Sequence, residues 1–322
     1  MTKQHAEQPA GAAAASIRRT TEIEEITNLY FIHPLAGRLV PWFARLRMTP
    51  NVVSLTGMLF GILAAFAYYR YADPRFAILG FVLMIAWHVM DGADGQLARF
   101  TQSYSYFGKV LDGISDNVTF LAVYTALAMA LGHKDGAWVY ALVAVSAVCH
   151  AIQSASYEAL RQEYEQLGRG KKPQEPPPRN SAARDGDGPP VIRWLFDFLH
   201  RLFFNGLSFP TAGITRQFRK TMAAALQREP DRASLIRERY REILAPQLRR
   251  WSILSANYRT LGIFLSALFK APEYYFGFEI IGFNAVLAVL IWRQRAAHQA
   301  LLGLLRLESP DGTTEAAAGQ SP

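Results

Sequence analysis

Residues 91–116, DGADGQLARFTQSYSYFGKVLDGISD, hold four aspartates in two pairs, Asp91/Asp94 and Asp112/Asp116. An apolar run from Phe76 to Met90 leads into the first pair, and another from Val118 to Leu131 leads away from the second. Helical residues turn about 100° each, so positions three or four apart share a face. Each pair can aim both carboxylates the same way, and two such helices side by side converge four carboxylates on one spot. Anions gathered at the edge of an apolar layer repel one another strongly unless cations neutralise them. A divalent metal site is the economical reading. Carboxylates without a cysteine or well-spaced histidine favour hard Mg²⁺ or Mn²⁺ over zinc. Between the pairs, Gly95 and Gly108 leave room for close backbone approach, and Ala98 keeps the helix face low. Arg99 adds a planar donor fork suited to phosphate. These residues describe a pocket for a phosphorylated ligand.

Composition sets the surroundings. The chain of 322 residues is 51% hydrophobic yet carries a formal charge of +8. Its apolar residues are gathered in runs, while both ends and a long middle segment are polar and basic. That segregation, with arginines and lysines in loops, reads as a membrane protein with cytoplasmic basic loops and anionic lipid contact. No nucleic-acid-binding module is recognisable. The lone Cys149 excludes an intrachain disulfide and reads as a small buried hydrophobe. No signal peptide is evident, because the alanine-rich start lacks a strongly apolar core.

Taken in order, residues 1–26 read as a disordered arm. From Pro34 to Arg47 an amphipathic pattern predicts an interfacial helix, with Pro41 arguing against an unbroken one. A membrane core over 27–157 holds this segment and four spans, at about 52–69, from 76 into the first aspartate pair, from the second pair to 131, and at 137–152. Residues 158–250 form an insertion: a Pro-, Gly- and charge-rich loop, an apolar stretch at 191–204 that reads as a second interfacial helix, and arginine-rich helix from about 215 to 250 broken near Pro230 and Pro246. Two more spans, at about 252–269 and 274–292, lie within 251–307, and 308–322 is a tail. The expected fold is therefore all-α: a six-helix integral membrane bundle with an N-terminal interfacial helix and a long cytoplasmic amphipathic insertion between the fourth and fifth spans. The positive-inside rule puts both termini and the aspartates on the cytoplasmic side, in a bacterial-type inner membrane. Gly57 and Gly61 form a GxxxG pattern that permits close helix packing.

The spacing Asp91-x-x-Asp94-Gly95-x-x-Ala98-Arg99, eight residues, Gly108-x-x-x-Asp112-x-x-x-Asp116 resembles the signature of the CDP-alcohol phosphotransferases at every fixed position. The resemblance implies transfer of a substituted phosphate from a CDP-linked donor, with CDP-diacylglycerol favoured, to an alcohol acceptor in phospholipid synthesis, releasing CMP. It implies two Mg²⁺ or Mn²⁺ ions on Asp91, Asp94, Asp112 and Asp116, and Asp116 as general base. Gly95, Ala98, Arg99 and Gly108 would line the nucleotide pocket. Asn51, in the Thr49-Pro50-Asn51 turn, has two readings, nucleotide contact and helix capping. Ser156 to Glu163 looks like the S-Y-x-x-x-R-x-E stretch of members that use inositol phosphate or glycerol phosphate, making Arg161 a candidate acceptor ligand; Arg259 is another. The resemblance also implies a homodimer. The long insertion departs from the family, which usually needs only a short connection there, and leaves the acceptor open. Alternatives are transfer from CDP-choline or CDP-ethanolamine to a lipid alcohol, and a different class, a cation-coupled transporter. A transporter should show broken spans in repeated halves, and no such symmetry is visible.

Overall fold

The computed structural model describes residues 22–103, 106–171, 194 and 207–307, all of them helical or in turns between helices. They divide into two compact units. The first contains α1 (His33–Arg45), α2 (Pro50–Tyr69), α3 (Pro74–Phe100), α4 (Tyr106–Asp135), the start of α5 (Trp138–Glu163), α8 (Ala256–Leu268) and most of α9 (Pro272–Phe278). The second contains the rest of α5, α6 (Phe209–Arg228), α7 (Ala233–Trp251), the end of α9 and α10 (Asn284–Leu307).

In the first unit one device starts two spans. Thr49, in extended conformation, accepts a hydrogen bond from the Val52 amide, and Pro50 opens α2. Asp73 accepts from the Arg75 amide at 3.0 Å, and Pro74 opens α3. Each cap satisfies an amide that the first helical turn leaves without a partner, and proline there has no amide to lose. The helix cap is thus Thr49, which removes the capping reading of Asn51. α2 packs along both α3 and α4. Its two glycines make that possible: a Cβ on Gly57 would meet Met90 at 3.0 Å, and one on Gly61 would overlap Thr119. The GxxxG face is therefore spent on packing within the chain, and nothing in it supports the expected homodimer.

α1 runs unbroken through Pro41, contrary to expectation. Pro41 lies on the exposed side, where one missing amide hydrogen bond costs less than the opposite face gains. That face sets Ile32, Ala36 and Val40 against Val53, Val89, Met90, Ala93 and Leu97. The N-terminal segment so lies on α3, over the first aspartate pair. It begins earlier than the sequence pattern implies: Ile23 and Glu25 are already buried.

Among the described residues five helices are long and apolar enough to cross a membrane: Pro50–Tyr69, Pro74–Phe100, Ile114–Asp135, Trp138–Gly168 and Pro272–Leu305. The fifth expected span, α8, has only 13 residues, roughly 20 Å at 1.5 Å each. A 3-10 turn at Ser252–Leu254 and the extended Ser255 delay its start.

In the second unit the described stretch of the inserted segment from 209 to 250 is almost all helix. On α7, Ile236, Tyr240, Leu244 and Leu248 recur every four residues and are buried, one stripe of a helix that packs on α10. Pro230 breaks the helix as expected. Pro246 does not: it sits inside α7 on the exposed side, and the buried stripe runs past it to Trp251. The expected interfacial helix at 191–204, apart from Trp194, lies outside the described residues, as do 1–21 of the arm and the tail beyond 307.

Polar side chains join α5 to the last helix. Ser146 donates to Glu279 at 2.6 Å, His150 Nδ1 lies 3.6 Å from the same carboxylate, and Gln153 donates to Asn284 at 2.9 Å. Further along, His298 pairs with Glu163 at 3.2 Å. The contacts climb both helices in the same sense, so the two run parallel. A π turn at Glu279–Phe283, one residue wider than an α turn, carries the fully buried Glu279. Cys149 is half-buried and accepts from the Asn284 amide at 3.2 Å. It is a polar contact, not simply an apolar filler.

Candidate active site

Asp91 and Asp94 lie on α3 near its end, and Asp112 and Asp116 on the first turns of α4. Trp87, one turn before Asp91, meets Phe120, one turn after Asp116, edge to face with ring centroids 5.6 Å apart. Both rings are buried. The contact links α3 and α4, each of which packs along α2, one turn from Asp91 and one turn from Asp116.

Asp94 is 5% exposed. Its Oδ2 accepts a short hydrogen bond from Ser54, whose hydroxyl also reaches the Pro50 carbonyl at 3.2 Å. The first turns of α2 therefore orient an aspartate forty residues away. Asp91 and Asp116 are half-buried. Among the described residues no three His, Cys, Asp or Glu side chains are grouped to hold a metal ion. The Asp112 side chain lies outside the described residues, so only part of the predicted set enters that statement. The donors on α3 and α4 are all carboxylates, and such oxygen ligands fit a hard divalent cation.

Gly95, Ala98 and Arg99 follow on α3, half-buried, and Gly108 occupies the first turn of α4, also half-buried. The chain then leaves α3 through Gln102, whose φ of 52° is left-handed, and Thr101 and Ser103 join hydroxyls at 2.6 Å. A cavity of about 450 Å³ opens here, with Arg47, Thr49, Asn51, Thr101 and Ser103 in its wall. Asn51, no longer needed as a cap, faces this space beside the end of α3.

Two residues that sequence reasoning passed over, Ser54 and Gln96, and a third that it read as a packing or hydrogen-bonding neighbour, His88, support the site. Ser54 orients Asp94. Gln96, at a variable position of the motif, donates to the His33 carbonyl at 3.1 Å, and His33 Nε2 lies 3.0 Å from Glu24, which fastens the N-terminal segment to the motif helix. His88, one turn before Asp91, is hydrogen-bonded to Thr260 at 2.9 Å in a buried contact. That contact fixes α8 on α3, so the fully buried Arg259 beside Thr260 belongs to the same unit as the aspartates. The position of Gln96 between two motif residues could have flagged it, and the place of His88 one turn before Asp91 did mark it as a neighbour of the motif. Arg161 lies in the second unit. Its guanidinium is forked onto Glu158, at 2.7 and 3.3 Å.

Residues 47–172 match the family described as CDP-alcohol phosphatidyltransferase. No curated protein and no solved structure matches the chain. The matched stretch encloses Asn51, all four aspartates, Arg99 and Arg161, and its apolar helices are long enough to cross a membrane. Residues 47–172 thus carry a domain that matches the CDP-alcohol phosphatidyltransferase family, a transferase family, and the five apolar helices mark a multi-pass membrane protein.

Proposed function

We propose that the protein transfers a substituted phosphate from CDP-diacylglycerol to an alcohol that itself carries a phosphate, with release of CMP. The observation that supports this reading is the buried Trp87–Phe120 contact, one turn from Asp91 on α3 and one turn from Asp116 on α4. Asp91, Asp94, Asp112 and Asp116 would hold Mg²⁺ or Mn²⁺, whose charge would offset that of the donor pyrophosphate. Ser54 orients Asp94 within that set. An alcohol is a poor nucleophile until it loses its proton, so a carboxylate must accept it, and Asp116 is the residue assigned to that step. The alcohol oxygen then bonds to the phosphorus bearing the diacylglycerol. The bond from that phosphorus to the bridging oxygen breaks, and CMP leaves with the electron pair. Asn51, Gly95, Ala98, Arg99 and Gly108 would take the cytidine nucleotide, beside the cavity at the end of α3. Two separate candidates for the acceptor phosphate are Arg161, by its place in the S-Y-x-x-x-R-x-E stretch, and Arg259, a fully buried cation. The basic loops favour a cytoplasmic site, where nucleotide-activated donors are found.

The test is CMP release by the full-length protein in lipid, with CDP-diacylglycerol, CDP-choline or CDP-ethanolamine as donor. Acceptors are glycerol 3-phosphate, inositol phosphate and diacylglycerol. CDP-diacylglycerol with a phosphorylated alcohol should be the productive pair, and Asp116→Asn should reduce turnover at least a hundredfold, the lower range for a general base. Turnover only with a CDP-linked small alcohol, or none with any pair, refutes the reading. A transporter is not favoured: the chain carries a transferase domain with every motif aspartate in place.

A further inference from the structure

The inserted helices hold the end of α5 at a single buried carboxylate. Glu163 is fully buried, and an isolated carboxylate in that setting would be strongly disfavoured. Three elements compensate it. From α6, Arg219 Nε lies 3.4 Å from Oε2. From α7, Tyr240 donates to Oε1 at 3.4 Å. From α10, His298 Nε2 lies 3.2 Å from Oε1, with Phe218 of α6 stacked on its ring at 3.8 Å. Arg219 also donates through Nη2 to the Ala159 carbonyl at 3.2 Å. It therefore grips α5 two residues before Arg161 and two residues after it, while Glu158 holds the Arg161 fork from within the helix. Just beyond, α5 widens into a π turn at Tyr164–Gly168, so an outside hold at this point has a local purpose.

We infer that Arg219 is a positioning residue for Arg161, and that the insertion tunes the affinity of this transferase for a phosphorylated alcohol. This rests on the reading of Arg161 as an acceptor ligand. A guanidinium whose backbone and fork are both fixed loses less freedom when a phosphate arrives. Releasing the Arg219 hold should weaken acceptor binding and leave the donor untouched.

The experiment measures CMP release by full-length protein in lipid, with CDP-diacylglycerol and either glycerol 3-phosphate or inositol phosphate, each varied in turn. Arg219→Gln should raise the acceptor KM about tenfold, the loss of one hydrogen bond to a charged group. The donor KM should stay within about twofold and kcat at saturation should be kept, by the same accounting. Arg219→Lys should recover part of the effect, since it restores the charge beside Glu163 without the fork to Ala159. Arg161→Gln should shift the acceptor KM in the same direction and further. A purely structural role would instead lower thermal stability and active fraction and leave both KM values in place, and that result overturns the inference. So does an unchanged acceptor KM, or a shift shared by both substrates. Wild-type protein that releases CMP only with an acceptor lacking phosphate also overturns it. If the wild-type protein releases no CMP with any pair, the proposed function fails and the inference with it, a result distinct from an active enzyme indifferent to Arg219.

Discussion

Gly61→Ala tests the packing that sets α2 against α4. A methyl group built on Gly61 would lie 2.5 Å from Cγ2 and 2.9 Å from Cβ of Thr119, far inside van der Waals contact. Thr119 is fully buried, and its β-branched side chain has little rotamer freedom within a helix. The methyl can fit only if the helices part. Overpacking of this kind costs about 1–3 kcal/mol, offset by up to about 1 kcal/mol from replacing a helical glycine. The net expectation is a loss of about 1–2 kcal/mol. Gly213→Ala supplies the control, because nothing lies within 4 Å of the Cβ it adds on α6. That change should be neutral or stabilising by up to about 1 kcal/mol. Thermal denaturation of the purified full-length protein reads both, and the two shifts should have opposite signs. Thr119→Ala in the Gly61→Ala background should recover part of the loss, as a non-additive double-mutant cycle. A Gly61→Ala protein as stable as the wild type would refute the packing argument.

Three other outcomes follow from the site and the second unit. Ser54→Ala removes the hydroxyl that orients Asp94 and should raise the Mg²⁺ concentration needed for half-maximal CMP release about tenfold, as for other residues that orient metal ligands; an unchanged Mg²⁺ titration would count against that role. Glu279→Leu should destabilise the protein by about 1–3 kcal/mol, because Ser146 loses a buried partner, and Glu279→Gln should cost less; equal melting temperatures for the two variants would deny the hydrogen bond its part. Burial, reinforced by the Glu163 carboxylate, raises the Tyr240 phenol well above its ordinary value of 10.0. Below that value the phenol is neutral in both folded and unfolded chain. Above it only the unfolded chain ionises, so stability should fall by about 1.4 kcal/mol per pH unit, and Tyr240→Phe should flatten that limb in denaturation measured against pH.

How far the sequence could be read depended on the range of the interaction. The two aspartate pairs announce a shared helix face because three- and four-residue spacing is local, and both pairs do lie on helices, α3 and α4. The starts of α2 and α3 are equally local, each a polar cap followed by proline. Pro41 and Pro246 misled because a proline rule states a cost without the packing that outweighs it. Both sit on exposed faces of helices whose opposite faces are buried. Ser54 and Asp94 are distant in sequence, as are His88 and Thr260, and no periodicity encodes such partners. The insertion was legible as charged helix. Its attachment to Glu163 was not, since it depends on three elements meeting at one carboxylate.

The parallel course of α5 and the last helix has a consequence for how the chain threads the bilayer. Two crossings in the same direction require an odd number of returns between them. Among the described residues the apolar helix available in that interval is α8, with its 13 residues. A helix of roughly 20 Å meets a hydrocarbon layer of about 30 Å only if lipid thins around it or its flanks are drawn inward. If α8 makes that return, the thinned lipid would lie against the helix that the His88–Thr260 bond ties to α3. Membrane thickness would then bear on the end of α3 that carries Asp91 and Asp94.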